Sequence, residues 1–124
     1  QRSVGYADVL VPTSESAGKV VRIACAHFDH MGYSEVRTRQ ARESVEFLGL
    51  DNPEYPTIMM GDLNVGAGSV LDPLNNVGDH IGYSWVDHIW AFPKGAWSGS
   101  ETFESKDCGN LSDHDPVMAT VTLK

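Results

Sequence analysis

Four short polar clusters hold the residues able to do chemistry: His27-Phe28-Asp29-His30, Gly61-Asp62-Leu63-Asn64, Asp87-His88-Ile89 and Ser112-Asp113-His114-Asp115. Each alone is a weak signal, because an isolated histidine or carboxylate after a strand is commonly a solvated or hydrogen-bonded group. Together they offer carboxylate and amide oxygens suited to a hard cation such as Mg²⁺, plus imidazoles able to move protons and balance phosphate charge. That is the equipment of phosphoester hydrolysis. On an extended chain, Asp62 and Asn64 would point the same way and share one metal or one attacking water.

The elements that must position these clusters follow from periodicity. Tyr6–Val11 and Lys19–Ala26 are β-rich runs joined by the Gly/Pro-containing stretch from Pro12 to Gly18, and they are expected to pair as antiparallel strands. Ser34–Leu48 contains no Gly or Pro, and Val36, Ala41, Val45 and Leu48 recur at helical spacing, which predicts an amphipathic helix closed by Gly49. Pro56–Gly61 is a short apolar strand leading into Asp62. Val65 to Tyr83 is Gly- and Asn-rich and is expected to be mostly loop, with one helical turn near Val70–Leu74. Ser84–Phe92 and Pro116–Leu123 are expected strands, with Val117, Ala119, Val121 and Leu123 sharing one face. A mixed α/β layered domain fits this order, and residues 1–124 are expected to form a single domain.

In this order the clusters resemble the endonuclease/exonuclease/phosphatase superfamily, with its DNase I-like fold. Gly61-Asp62-Leu63-Asn64 resembles the family's G-D-L-N after an apolar strand, and Asp87-His88-Ile89 its D-H-I within a strand. Ser112-Asp113-His114-Asp115-Pro116-Val117 is similar to S-D-H-x-P-V, and the His27 segment to T-H-x-D-H, followed by a helix carrying Arg37, Gln40, Ala41 and Arg42. The resemblance implies half of a four-layer α/β sandwich with a mixed, largely antiparallel sheet, the C-terminal half. It also implies an enzyme, a Mg²⁺- or Mn²⁺-dependent phosphoric ester hydrolase acting by in-line attack of water.

Carried over by position, the resemblance implies that Asp113 is a metal ligand. Asp62 and Asn64 would orient the water, with metal contact in some states, and His114 would handle a proton at the phosphate. Asp87 would pair with His114 and fix its tautomer. His27 would contact the scissile phosphate from the other side. Asp29, His30, His88 and Asp115 stay outside this core set. The interval from Asn64 to Asp87 is shorter than is usual in the family, which leaves substrate choice open. Nuclease ranks first as the commonest use, with phospholipid and inositol phosphate as other substrate classes.

The family's N-terminal half contributes an Asn and a metal-binding Glu that match no position in this sequence. The expected partner is therefore that half, on a second polypeptide, and this chain alone would expose an apolar sheet face. The reading from a different class is a structural or binding subunit that keeps the fold without catalysis.

Composition narrows this further. A net charge of -8 over 124 residues argues against general polyanion binding, although a bound cation can invert the local sign. No apolar run approaches the ~20 residues of a membrane helix. Cys25 and Cys108 are too few for a disulfide scaffold, and Cys25 within Val20–Ala26 is expected to be a buried thiol rather than half of a disulfide. Gln1 in place of Met, with no apolar leader, is read as a processed or trimmed start favouring secretion. Trp85, Trp90, Trp97 and Phe103 could line a substrate cleft with an apolar rim, although aromatics alternating along strands are more often core; Trp85 is expected in the core and Trp97, in the flexible segment from Gly95 to Ser100, is expected to be exposed.

Overall fold

The protein is described here by a computed structural model covering residues 3–14, 17–101 and 109–124; Gln1, Glu15, Ser16, Phe103 and Cys108 lie outside the described residues. Two long strands open it, β1 (Ser3–Val11) and β2 (Lys19–His27), paired antiparallel as their periodicity predicts. The helix α1 spans Ser34–Leu48 and ends at Gly49, whose left-handed φ of 61° suits a residue without a Cβ. Strand β3 (Thr57–Asp62) follows, then a 3-10 turn (Ser69–Leu71) and the single-turn helix α2 (Asp72–Asn75).

The stretch from Asp79 to Phe92 is a hairpin rather than loop followed by one strand. Strand β4 (Asp79–Ser84) turns through Trp85-Val86 into β5 (Asp87–Phe92). The Gly and His residues of β4 concealed a strand whose buried face is made of ring stacking instead of aliphatic side chains. A second departure is β6 (Trp97–Glu101), within what looked like a flexible Gly/Ser segment; it pairs with β7 (Ala119–Leu123), whose apolar alternation supplies the packing for both.

The main sheet runs β1-β2-β3-β5-β4, with only β2 and β3 parallel, and β6-β7 form a separate two-stranded sheet. The chain is thus half of an α/β sandwich with a mixed, largely antiparallel sheet. Alternation of side chains gives the main sheet two unlike faces. Ala24, Ala26, Met59, Trp90 and Phe92 face the helices and join Phe28, Ala41, Leu48, Leu50, Leu71 and Leu74 in the larger core. Val21, Ile58, Ile89 and Ala91 face the other way, against Trp97 and the partly buried Val121 and Leu123 of the small sheet.

That small sheet covers only part of its face. Val9, Val11 and Met60 remain exposed, and so does Cys25, which corrects the expectation of a buried thiol. The reason is parity: Ala24 and Ala26 point to the helices, so Cys25 points to the uncovered side. The two tryptophans exchange their expected places as well. Trp97 is only 8% exposed and donates its indole N–H to the Phe92 carbonyl at 2.9 Å, whereas Trp85 sits 62% exposed at the β4–β5 turn.

Candidate functional site

Sheet register assembles the site. His27 ends β2 opposite Asp62 at the end of β3, and Asp62 lies opposite Asp87 at the start of β5, so three neighbouring strands present one polar row on the face away from the helices. Close approach at this row depends on Gly61, where a Cβ would come within 1.8 Å of the Ala26 carbonyl oxygen. Beyond the strand ends, backbone bonds continue the alignment, from Phe28 N–H to Asp62 O at 3.0 Å and from Leu63 N–H to Val86 O at 2.9 Å.

Asp62 Oδ2 is the focus. His27 Nε2 lies 3.7 Å from it and His114 Nε2 3.9 Å. His114 comes from the segment before β7, where its backbone N–H donates to Ser112 Oγ at 3.0 Å. Its ring is fixed by Asp87: Nδ1–H donates to Oδ2 at 2.6 Å, which leaves Nε2 directed at Asp62. The same bond is the main reason that the His114 pKa is raised above the ordinary imidazole value, with the charges of Asp87, Asp113 and Asp62 adding to it. His114 is therefore biased toward the cation, a form that can bind a phosphate oxygen or deliver a proton.

Asn64 does not continue the strand. Its φ is 51°, its backbone N–H donates to Asp62 Oδ1 at 2.9 Å, and its side-chain amide donates to the Phe28 carbonyl at 2.7 Å. Asp62 and Asn64 thus meet through a tight turn instead of extended alternation, because Asn accepts the left-handed region better than most residues. This commits the Asn64 nitrogen and leaves its oxygen as the ligand atom. Asp113 is 90% exposed at the rim, with Oδ1 3.9 Å from His114 Nε2.

A divalent cation fits this chain in part. Asp62, Asp87 and His114 each offer one ligand atom within 4.8 Å of the others. Asp87 and the Nδ1 of His114 are already committed to one another, so the oxygens open to a hard cation are those of Asp62, Asn64 and Asp113. These are the right donor type but too few for an octahedral ion, which must draw further ligands from water, substrate or another part of the protein.

The groups set aside in the sequence occupy distinct places. Asp29 caps its own turn, accepting from Met31 N–H at 2.9 Å. His30 is exposed, and Asp115 lines the cleft beside His114, Met60 and Val117, a space of about 320 Å³. His88 is buried on the helix side, opposite in parity to Asp87. Its Nε2–H donates to Val65 O at 2.7 Å, so its bare Nδ1 accepts from His80 Nε2–H at 2.9 Å. His80 in turn stacks on Trp90 at 4.1 Å between centroids. Burial lowers the pKa of both, that of His80 to about 4, which matches a pair in which both rings must be neutral. His80 went unmarked in the sequence; the alternation His88, Trp90, Phe92 was the signal that His88 faces the core.

The fold is that of one half of an endonuclease/exonuclease/phosphatase, DNase I-like domain. An endonuclease/exonuclease/phosphatase from Bacteroides vulgatus superposes with a TM-score of 0.67 at 22% identity, over 99% of this chain and 56% of that one. A mannosyl-6-phosphatase from Bacteroides thetaiotaomicron gives 0.60 at 19% identity, over 86% and 52%, and the human Nocturnin catalytic domain 0.59 at 16% identity, over 97% and 58%. The chain spans little more than half the length of these solved structures. Comparisons with family models and with curated protein sequences return no match.

Proposed function

We propose that this chain supplies the C-terminal half of a phosphoesterase active site of the endonuclease/exonuclease/phosphatase superfamily. The observation carrying this reading is the convergence of His27 Nε2 and His114 Nε2 on Asp62 Oδ2, at 3.7 and 3.9 Å, with Asp87 locking His114. A phosphate held between the two imidazoles would place its phosphorus before Asp62, the group able to orient a water in line with the leaving oxygen. His27 and His114 bind the phosphoryl oxygens, and His114, biased toward the cation by Asp87, returns a proton to the leaving alcohol. Asp62, Asn64 and Asp113 are the residues that would hold Mg²⁺ or Mn²⁺, which would supply charge stabilisation at phosphorus.

The site needs the N-terminal half, which completes the metal's ligands. The uncovered apolar face and the coverage of only 52–58% of the three solved chains both support this. Substrate choice is a finer matter. The nuclease ranking rests on frequency alone, whereas the net charge of -8 and a cleft that no Lys or Arg lines among the described residues favour a small phosphate ester over a long polyanion. The likeness to a mannosyl-6-phosphatase points the same way.

The test joins this chain to an N-terminal half and measures hydrolysis of p-nitrophenyl phosphate and bis-p-nitrophenyl phosphate with Mg²⁺, Mn²⁺ or chelator. Metal-dependent turnover that falls about 10²–10⁴-fold in Asp62→Asn and in His114→Asn is expected. A folded, metal-loaded complex that turns over neither ester would leave a binding subunit in place of an enzyme.

A further inference from the structure

Trp85 is the residue that stability does not explain. It is the first of the two residues between β4 and β5, since Ser84 pairs with Asp87, and its φ is 53°. Tight hairpin turns that need a positive φ at this position take Gly, Asn or Asp, and a bulky side chain there is strained. A buried ring would offset the strain, but Trp85 is 62% exposed. What the strained turn achieves is placement: the indole stands 5.1 Å, centroid to centroid, from the His114 imidazole at an angle of 48°. His114 Nε2 is directed at Asp62, where the proposed phosphate lies.

We infer that Trp85 is the specificity residue of this site, a platform for a sugar ring joined to the phosphate through one ester bond. The inference rests on the phosphoesterase reading above and adds the leaving group. At 5.1 Å the indole and imidazole are in ring contact, so the open part of the indole reaches the group bonded directly to a phosphate at His114 and not a distant one. The face of an indole is electron-rich and attracts the C–H face of a sugar, which carries the positive side of its bonds outward. On this chain's side the cleft wall is apolar and acidic, with Met60, Ile89 and Asp115, and no Lys or Arg lines it among the described residues. Two sources present this chemistry, a hexose 6-phosphate and a nucleoside 5′-phosphate, and both carry the sugar one carbon from the ester oxygen.

The experiment uses the complete two-half protein with Mn²⁺ and three substrates: glucose 6-phosphate, adenosine 5′-monophosphate and the ringless glycerol 3-phosphate. In Trp85→Asn, the ratio of kcat/KM for the preferred ring substrate to that for glycerol 3-phosphate should fall about tenfold, the worth of one aromatic stacking contact. Trp85→Phe should restore most of that ratio. Preference between the hexose and the nucleotide identifies the source. The thermal midpoint of Trp85→Asn should equal or exceed that of the parent, because Asn tolerates the left-handed turn. An unchanged ratio, or a lower midpoint with dissociation of the halves, would make Trp85 a packing residue and overturn the inference. Calorimetric titration with the same three compounds separates the two readings. If nothing is hydrolysed, the phosphoesterase reading fails, and Trp85 is then judged on whether Trp85→Asn weakens binding of the sugar phosphates about tenfold relative to glycerol 3-phosphate.

Discussion

His114 and the His80–His88 pair, on opposite faces of one sheet, are driven in opposite directions. Asp87 raises His114 toward the cation by accepting from Nδ1, while burial holds His80 and His88 neutral so that a chain of donors can run from His80 through His88 to the Val65 carbonyl. That pair anchors the segment just after Asn64, so its neutrality bears on the site. Its pH dependence follows from linkage. The folded pKa of His80 is about 4 against about 6.5 when unfolded, so between those values the unfolded chain binds the proton and the native one does not. The contribution of His80 is complete above pH 6.5 and declines as pH falls toward 4. Urea denaturation should show a loss of about 2 kcal/mol between pH 7 and pH 5, at 1.36 kcal/mol per pKa unit. In His80→Gln, which keeps a donor for His88 but does not titrate, that slope should flatten; an unchanged slope would assign the acid sensitivity to other groups.

At the scale of elements, the position of Asp62 depends on how closely β2 and β3 run. Gly61 has φ 154° and no room for a Cβ beside the Ala26 carbonyl. Gly61→Ala should therefore force the strands apart at His27 and Asp62, with a stability loss of about 3 kcal/mol or more in chemical denaturation. A loss under 1 kcal/mol would mean that the backbone absorbs the methyl and that the spacing is not set here. The sequence carried α1 to its terminal residues, because Gly49 closes an uninterrupted amphipathic run. It also carried β1, β2 and β3, whose apolar residues are dense. It missed β4 and β6 for a common reason: neither has aliphatic alternation, since β4 packs through His80 and β6 is Trp97-Ser98-Gly99-Ser100-Glu101. The tryptophans were misplaced for the same cause. Once Ser84–Phe92 is a turn and a strand, Trp85 moves to the tip, and once β6 exists, Trp97 gains a face to bury. The polar row His27, Asp62 and Asp87 was legible only as residue types; its alignment is a property of register, which short strands do not declare.

For the whole molecule, the decisive feature is that the polar row and the uncovered apolar surface share one face of the sheet. Cys25 and Met60 are register partners one pleat before His27 and Asp62, and both are exposed, as are Val9 and Val11 toward the edge. A sheet built to work alone would close this face, since exposed contiguous apolar surface favours association. An opposing half-sandwich would cover it and at the same time bring its own side chains to the rim of the polar row, coupling folding to completion of the site. Cys25 gives this coupling a direct readout. In the isolated chain its thiol should react with a maleimide at the rate of an accessible cysteine. Adding the N-terminal half should slow labelling at least tenfold, followed peptide by peptide in the mass spectrometer so that Cys108 is scored separately. Protection that appears together with metal-dependent turnover would mean that the two halves form one sandwich. Turnover with Cys25 still freely labelled would place the second half elsewhere and leave this face to another partner.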